Sequence, residues 1–256
     1  MEIYKLAKEI AVGCGDILFS GFNNIKNIKE KSDAGDIVTD VDIRSEKYAM
    51  DKIKEFRPDD NILSEEYGTI NKKSEYTWII DPLDGTYNFS LGIPFFCVSI
   101  GVYKDNKPFI GVIYDPIHKE LFSAKVGEGA FLNNEIISVK EPASMSGAVF
   151  YISWVKGVRE KSEFTQMTKK ISNETSYMRR FGSAALGFSY IASGRIHGFI
   201  ESGLSPWDVA AGILIVNEAG GIVKDFNEKD IDILAKKNEI IASSKPLFDY
   251  IVSNLK

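Results

Sequence analysis

Residues 78–89 read W-I-I-D-P-L-D-G-T-Y-N-F. Trp78, Ile79 and Ile80 run into Asp81, and a short apolar run of this kind describes a buried strand. Pro82 has no backbone donor, so the strand is expected to stop at Asp81. Asp84 comes three residues later, and Gly85-Thr86 turns the chain. A carboxylate that follows an apolar run is costly to bury alone, so Asp81 needs a cation or several donors. Two carboxylates at a strand end, beside backbone N–H groups, suit a divalent cation and a phosphate held together. Phosphoryl transfer is catalysed mainly by such positioning and charge neutralisation.

Upstream, Ile3, Leu6, Ala7, Ile10, Ala11, Cys14, Ile17 and Leu18 recur at helical spacing and predict a first amphipathic helix ending near Gly21. Residues 23–36 are polar and loop-like, with a short extended stretch. A second helix is expected from Thr39 or Asp40, good capping residues, to about Phe56, ahead of Pro58. Strand signals follow at 62–63, 76–80, 95–103, 109–114 and 120–124. Asp105-Asn106-Lys107 and Asp115-Pro116 read as turns, and 128–137 as a short hairpin around Asn133-Asn134. The second half alternates, with helices near 159–171, 183–192, 207–219 and 246–255 and strands near 149–152, 196–200, 221–223 and 239–242. This order predicts an α+β fold of stacked helix and sheet layers, divided into an N-terminal lobe (1–142) and a C-terminal lobe (143–256).

The chain has 256 residues with 44% hydrophobic content, enough for a substantial core. Net charge is −5 and no basic block or basic-aromatic stripe occurs, which argues against a nucleic-acid partner. Cys14 and Cys97 lie in apolar stretches without Cys or His companions, so both read as buried free thiols. No apolar run approaches the roughly 20 residues of a membrane span, so no membrane partner is expected and a cytoplasmic location is the default.

Other acids stand in unusual places. Glu65-Glu66 follow the strand candidate at 61–64, Asp208 opens a small-and-apolar helix in L-S-P-W-D-V-A-A-G, and Asp42 lies in D-I-V-T-D-V-D. For Asp42 and Asp208 the plainer account is helix capping, worth about 0.5–2 kcal/mol.

Taken together these segments resemble the inositol monophosphatase family, within the wider group of magnesium-dependent, lithium-sensitive sugar phosphatases. The resemblance rests on five segments in order: G-D-x-V-T-x-x-D at 35–42, the acidic pair at 65–66, D-P-L-D-G-T-x-N-F at 81–89, the A-x-x-G-x-G-A-F-L-N hairpin at 124–133, and W-D-x-A-A-G at 207–212. It implies a layered α-β-α-β-α sandwich, a homodimer and two Mg²⁺ ions. Glu65, Asp81 and the Leu83 carbonyl would hold the first ion; Asp81, Asp84 and Asp208 the second; Glu65 reaches a third, weaker one. Asp42 and Thr86 would orient a metal-activated water for in-line attack, with Glu65 the competing activator. Gly85 and Thr86 would offer N–H groups to the phosphate. Substrate contacts are implied for Gly182, Ser183, Ala184, Glu201 and Asp208, with Arg179 or Arg180 meeting a second phosphate. His118 and His197 match no catalytic position. Two departures stand out: Ser64 takes the place of a glycine often found before the acidic pair, and Asp40 adds a carboxylate beside Asp42.

The resemblance implies hydrolysis of a small phosphate ester, inositol-1-phosphate or fructose-1,6-bisphosphate, with the dual-specificity branch suggested by the paired arginines and G-S-A-A-L. A haloacid-dehalogenase-like phosphatase fits less well, because its D-x-D-G-T places one residue between the acids and here there are two. Relatives that cleave 3′-phosphoadenosine 5′-phosphate carry D-G-T-K-E-F where this chain has D-G-T-Y-N-F. A non-catalytic regulatory protein on the same scaffold would usually have lost a ligand, and none is missing.

Overall fold

Both faces of the strand that contains Trp78–Ile80 are covered by helices, and this decides the architecture. A computed structural model describes residues 2–22, 24, 28–30, 37–154 and 162–255. In chain order the first half comprises α1 (Ile3–Gly21), β1 (Ile28–Glu30), β2 (Ile37–Thr39), α2 (Asp40–Phe56), β3 (Asn61–Ser64), β4 (Gly68–Ile70), β5 (Tyr76–Asp84) and α3 (Thr86–Ser90). Then come β6 (Cys97–Lys104), β7 (Lys107–Asp115), β8 (Glu120–Lys125), β9 (Ala130–Leu132) and β10 (Glu135–Ile137). The remainder is β11 (Phe150–Trp154), α4 (Glu163–Glu174), β12 (Met178–Arg179), α5 (Ala184–Ala192), β13 (Gly198–Leu204), α6 (Pro206–Glu218), β14 (Ile222–Asp225), β15 (Asn238–Ser243) and α7 (Lys245–Tyr250). The last helix passes into a π-helical turn at Ile251–Leu255.

Eight strands form a large sheet in the order β10-β9-β8-β7-β6-β5-β3-β4, antiparallel except for the β3–β5 pair. Five form a smaller mixed sheet, β12-β11-β13-β15-β14. Alternation along each central strand feeds two cores at once, because successive side chains leave opposite faces. On β5 and β6, Trp78, Ile80, Val98 and Ile100 pack with α1 and α2, while Ile79 and Cys97 point the other way, into a core shared with α5 and α6. On the small sheet Phe199 and Ile240 join that same middle core, and Ile200 and Ile241 meet Phe164, Ile171 and Phe248 of α4 and α7. Three cores separated by two sheets make the five layers of an α-β-α-β-α sandwich. The middle core draws on residues from both halves of the chain.

The strand through the quoted stretch does not stop at Asp81. β5 continues to Asp84, and its register against β6 shifts from Asp81↔Ser99 to Asp84↔Cys97. Three steps on β5 face two on β6, a β-bulge, and a bulge is where a strand tolerates a proline. The five-residue α3 and the edge strand β4 carried too little periodicity to be expected. Helix α4 begins at Glu163, four residues later than predicted; positions 159–161 lie outside the described residues, as do Gly35 and Asp36. The turns follow expectation: Asp105-Asn106 and Asn133-Asn134 all take positive φ, as a two-residue hairpin turn requires. Among the described residues no helix is long and apolar enough to cross a membrane.

Helix α6 lies unusually close to the large sheet, and small residues on both sides allow it. A Cβ at Gly101 would stand 2.7 Å from Ala210 Cβ, and one at Gly111 would stand 2.5 Å from the Ala211 carbonyl oxygen. Across α6, a Cβ at Gly212 would stand 2.4 Å from the Phe188 ring. The Ala210-Ala211-Gly212 run is thus small because it is wedged between a sheet and α5. Gly101→Val should push α6 off the sheet and lower stability by about 1–3 kcal/mol, the range for overpacking a core. Denaturant unfolding checks this, and an unchanged midpoint would contradict the close packing.

Candidate active site

The site is assembled at helix starts and at the bulge. Helix α2 is capped by Thr39, whose N–H donates to Asp42 Oδ2 at 3.0 Å and whose hydroxyl donates to the same oxygen. Asp42 is therefore a helix cap, as the plainer account has it. Its other oxygen looks outward: the Thr86 hydroxyl lies 3.2 Å from Asp42 Oδ1 and 2.9 Å from the Leu83 carbonyl oxygen. Both lie within reach of its single proton. Burial pushes the Asp42 carboxyl up to about 6, against the pull of the Thr39 and Thr86 hydroxyls.

In a regular strand, residues three apart point to opposite faces. The bulge cancels this for Asp81 and Asp84, so both carboxylates reach one side. Asp81 is 2% exposed and its Oδ1 accepts from the Leu83 N–H at 3.0 Å. Asp84 is held by the start of α5: the Ser183 hydroxyl donates to Oδ2 at 2.5 Å, the Ala185 N–H to the same oxygen at 2.7 Å, and the Ala184 N–H to Oδ1 at 3.4 Å. Asp208 is the third residue of α6 and accepts from the Ser205 N–H at 2.6 Å, the same capping position that Asp42 occupies in α2. Ser99 donates to the Trp207 carbonyl at 3.3 Å, tying the start of α6 to β6.

One oxygen from each of Asp81, Asp84 and Asp208 lies within 4.8 Å of the other two. Burial raises all three carboxyls above the usual carboxylate range. Next in importance for Asp81 is the charge of Glu65, followed by Asp84 and Asp208; for Asp208 it is the charge of Asp84. Among the described residues no lysine or arginine forms an ion pair with any of the three. Oxygens around one Mg²⁺ at about 2.0–2.1 Å stand up to about 4 Å apart. The trio is already near that size, and its uncompensated charge matches a hard divalent cation. Glu65 follows β3 and is outside the trio, yet near enough for its charge to raise both Asp81 and Asp208.

Glu201 sits on β13 directly beside Ser153 of β11, 7% exposed, and among the described residues no donor reaches its buried Oε2. Burial pushes its carboxyl up to about 8, while Ser153, Tyr151 and the Arg180 charge pull it down and the Asp84 charge adds to the rise. The paired arginines part company. Arg180 stacks on the Trp154 ring at 4.7 Å and donates to the Trp154 carbonyl at 3.0 Å, on the Glu201 side. Arg179 is exposed and donates to the Met178 carbonyl at 3.0 Å. Ser183 and Ala184, expected against the substrate, are buried, and both donate to Asp84. Gly182 takes φ +82°, and a Cβ there would stand 3.0 Å from Asn88 Nδ2. His118 pairs with Asp115, and His197 accepts from the Val149 N–H, both in structural roles.

Several supporting residues escaped the sequence reading. Asn88 donates to the Phe95 and Phe181 carbonyls at 2.8 and 2.7 Å, clamping the loop after α3 to the segment before α5. Ser45 donates to the Pro82 carbonyl at 3.0 Å, and Glu46 accepts from the Glu66 and Tyr67 N–H groups at 3.0 and 3.1 Å. A signal existed. Asp42, Ser45 and Glu46 recur at i, i+3 and i+4 in register with apolar Ala49 and Ile53, so polar residues fill a buried stripe.

The sequence model described as the inositol monophosphatase family matches residues 1–256. A protein of Pasteurella multocida named Nus factor SuhB is 38% identical over 87% of this chain and 85% of its own. A Thermotoga maritima protein named fructose-1,6-bisphosphatase/inositol-1-monophosphatase is 36% identical over 93% of this chain and 90% of its own. The crystal structure of the extragenic suppressor protein suhB from Bartonella henselae superposes with a TM-score of 0.92 at 35% identity, covering 100% of this chain and 99% of that one. With a full-length family match, relatives above a third identical and the same five-layered fold, the chain belongs to the inositol monophosphatase family.

Proposed function

We propose that this protein is a Mg²⁺-dependent phosphomonoesterase that hydrolyses a phosphorylated inositol or sugar by direct attack of water. The observation that carries this reading is the trio Asp81, Asp84 and Asp208, gathered within 4.8 Å with no ion pair to a lysine or arginine among the described residues, and flanked by the Asp42–Thr86 contact. Burying such charge unneutralised costs several kcal/mol per ion. Asp81, Glu65 and the Leu83 carbonyl would hold one Mg²⁺, and Asp81, Asp84 and Asp208 a second. Bound Mg²⁺ would neutralise the phosphoryl oxygens and lower the pKa of water.

The chain's own groups do the rest. The Thr86 hydroxyl would give its single proton to Asp42 Oδ1, leaving the Leu83 carbonyl available as a ligand. The Thr86 oxygen is then oriented to accept from the attacking water, and Glu65 is the second candidate acceptor. Gly85 takes φ +96° and has no room for a Cβ, which would stand 3.0 Å from the Phe95 carbonyl oxygen. That tight turn would bring the Gly85 and Thr86 N–H groups to the phosphate. Glu201, protonated near neutral pH by burial, offers both a donor and an acceptor to ring hydroxyls. Arg180 beside it would suit a second phosphate, which makes fructose-1,6-bisphosphate an additional substrate, in keeping with the name of the Thermotoga relative. A regulatory protein on this scaffold is the second reading, prompted by the relatives named Nus factor SuhB. Phosphate release with Mg²⁺ from inositol-1-phosphate, fructose-1,6-bisphosphate and 3′-phosphoadenosine 5′-phosphate separates these readings. Turnover of none of them supports the regulatory one.

Asp81→Asn should abolish turnover by at least about 10²-fold, by loss of charge at the shared ligand, while far-ultraviolet circular dichroism stays unchanged. Near-normal activity at saturating Mg²⁺ would remove Asp81 from the site.

The raised carboxyls also set the pH dependence of the metal-free protein. At these groups the folded state holds protons that the unfolded chain has released, so their contribution to stability is greatest at low pH and falls as pH rises. For Glu201 the fall spans about 4.5 to 8. In chelator, Glu201→Gln should therefore raise the melting temperature at pH 8.5 and change it little at pH 4.5; an equal shift at both would exclude a titrating Glu201. Adding Mg²⁺ should raise the wild-type melting temperature more at pH 8 than at pH 5.5, because at the lower pH the ion must displace protons from the trio. A shift independent of pH would contradict the raised carboxyls.

A further inference from the structure

We infer that Glu46 is a positioning residue for Glu65, and that α2 is the body against which the separate metal-bearing segments are aligned; the inference rests on the proposed role of Glu65 as a metal ligand. Glu46 is fully buried in the second turn of α2. Its Oε1 accepts from two consecutive backbone donors, Glu66 N–H at 3.0 Å and Tyr67 N–H at 3.1 Å. These belong to the turn that joins β3 to the edge strand β4. The pairing of those strands is short, running from Ile62↔Ile70 to Ser64↔Gly68, and Glu65, Glu66 and Tyr67 lie beyond its last pair.

The Glu66 N–H lies in the peptide plane that Glu65 itself closes. Gripping that plane restricts the backbone of Glu65, and with it the direction of the Glu65 side chain. The helix that supplies the grip also touches the other parts. Asp42, one turn before Glu46, meets Thr86 at 3.2 Å, and Ser45, its neighbour, donates to the Pro82 carbonyl inside the bulge at 3.0 Å. Two segments distant in sequence from α2, at 65–67 and 82–86, are thus referred to one helical stripe. A carboxylate oxygen that organises two N–H groups needs an acceptor at that place, and a glutamine carbonyl supplies one too.

The test compares Glu46→Gln with Glu46→Met. Mg²⁺ binding by calorimetry and Mn²⁺ binding by electron paramagnetic resonance are read beside the melting temperature and phosphate release. Glu46→Met, which keeps the bulk and removes the acceptor, should weaken the ion held through Glu65 by about tenfold or more, whereas Glu46→Gln should stay within about threefold of wild type, the pattern of an outer-shell contact. A Glu46→Met protein that melts lower but binds metal as wild type does would show a merely structural residue and overturn the inference. Equal weakening in both variants would overturn it too, since charge and not the acceptor would then matter. If Glu46→Met does not fold, Glu46→Gln decides: a loss beyond tenfold in metal affinity with an unchanged melting temperature refutes the acceptor role, and retained affinity supports it. A wild type that binds Mg²⁺ yet hydrolyses no phosphate ester would end the phosphatase reading and leave the binding comparison intact. A wild type that binds neither ion would overturn both.

Discussion

Like charges brought together out of water repel one another and lose their hydration, and Asp81, Asp84 and Asp208 suffer both. Their oxygens meet within 4.8 Å; burial raises all three carboxyls, and the charges of neighbouring acids add to the rise at Asp81 and Asp208. Much of the local structure supplies what these groups lack. Asp84 is met by a hydroxyl and two N–H groups at the start of α5, Asp208 by the Ser205 N–H at the start of α6, and Asp81 by the Leu83 N–H within the bulge. Helix starts carry unsatisfied donors and partial positive charge, so they are the inexpensive places to hold an anion without a lysine or arginine. A bidentate arginine would satisfy the carboxylates better and leave nothing for a metal.

This constraint reaches into the packing. To bring the α6 start to the end of β5, α6 must lie against the large sheet, and Gly101 and Gly111 on the strands face Ala210 and Ala211 on the helix for that reason. Asn88 and Gly182 close the loops around Asp84 in a similar way, since the asparagine amide occupies the space a side chain at 182 would fill. Capping and chemistry are not alternatives here. Asp42 uses one oxygen to cap α2 and the other to meet Thr86. A residue that is already fixed by its own helix is a rigid platform for a second contact.

Much of this was legible in the chain. The helical spacing of residues 3–18 matches α1, the Asp105-Asn106 and Asn133-Asn134 turns form as their residue types demand, and the acids at 81, 84 and 208 do converge. Glu65 comes close enough to act on two of them. The errors share a cause. Pro82 reads locally as a stop, but a bulge lets β5 run on to Asp84, and only the register against β6 reveals it. The donors that Ser183 and Ala184 give to Asp84, which is 99 residues from Ser183, had no signal in the sequence either. Ser45 and Glu46 share the register of Ala49 and Ile53, but the groups they bond to are known only from the structure.

By itself, then, the sequence determined the secondary structure that depends on neighbours a few residues apart, and the identities of the acids, because a strand end rich in carboxylates has few physical uses. The tertiary structure alone decided which oxygens face one another, which helix start supplies each donor, and that Arg180 rather than Arg179 stands on the Glu201 side. The physical reason is range. Propensity and capping act within about one helical turn, whereas repulsion, burial and hydrogen-bond satisfaction depend on distances in space. Asp42 meets Thr86, and Asp208 meets Asp81 and Asp84, only where sheet register and helix packing place them together.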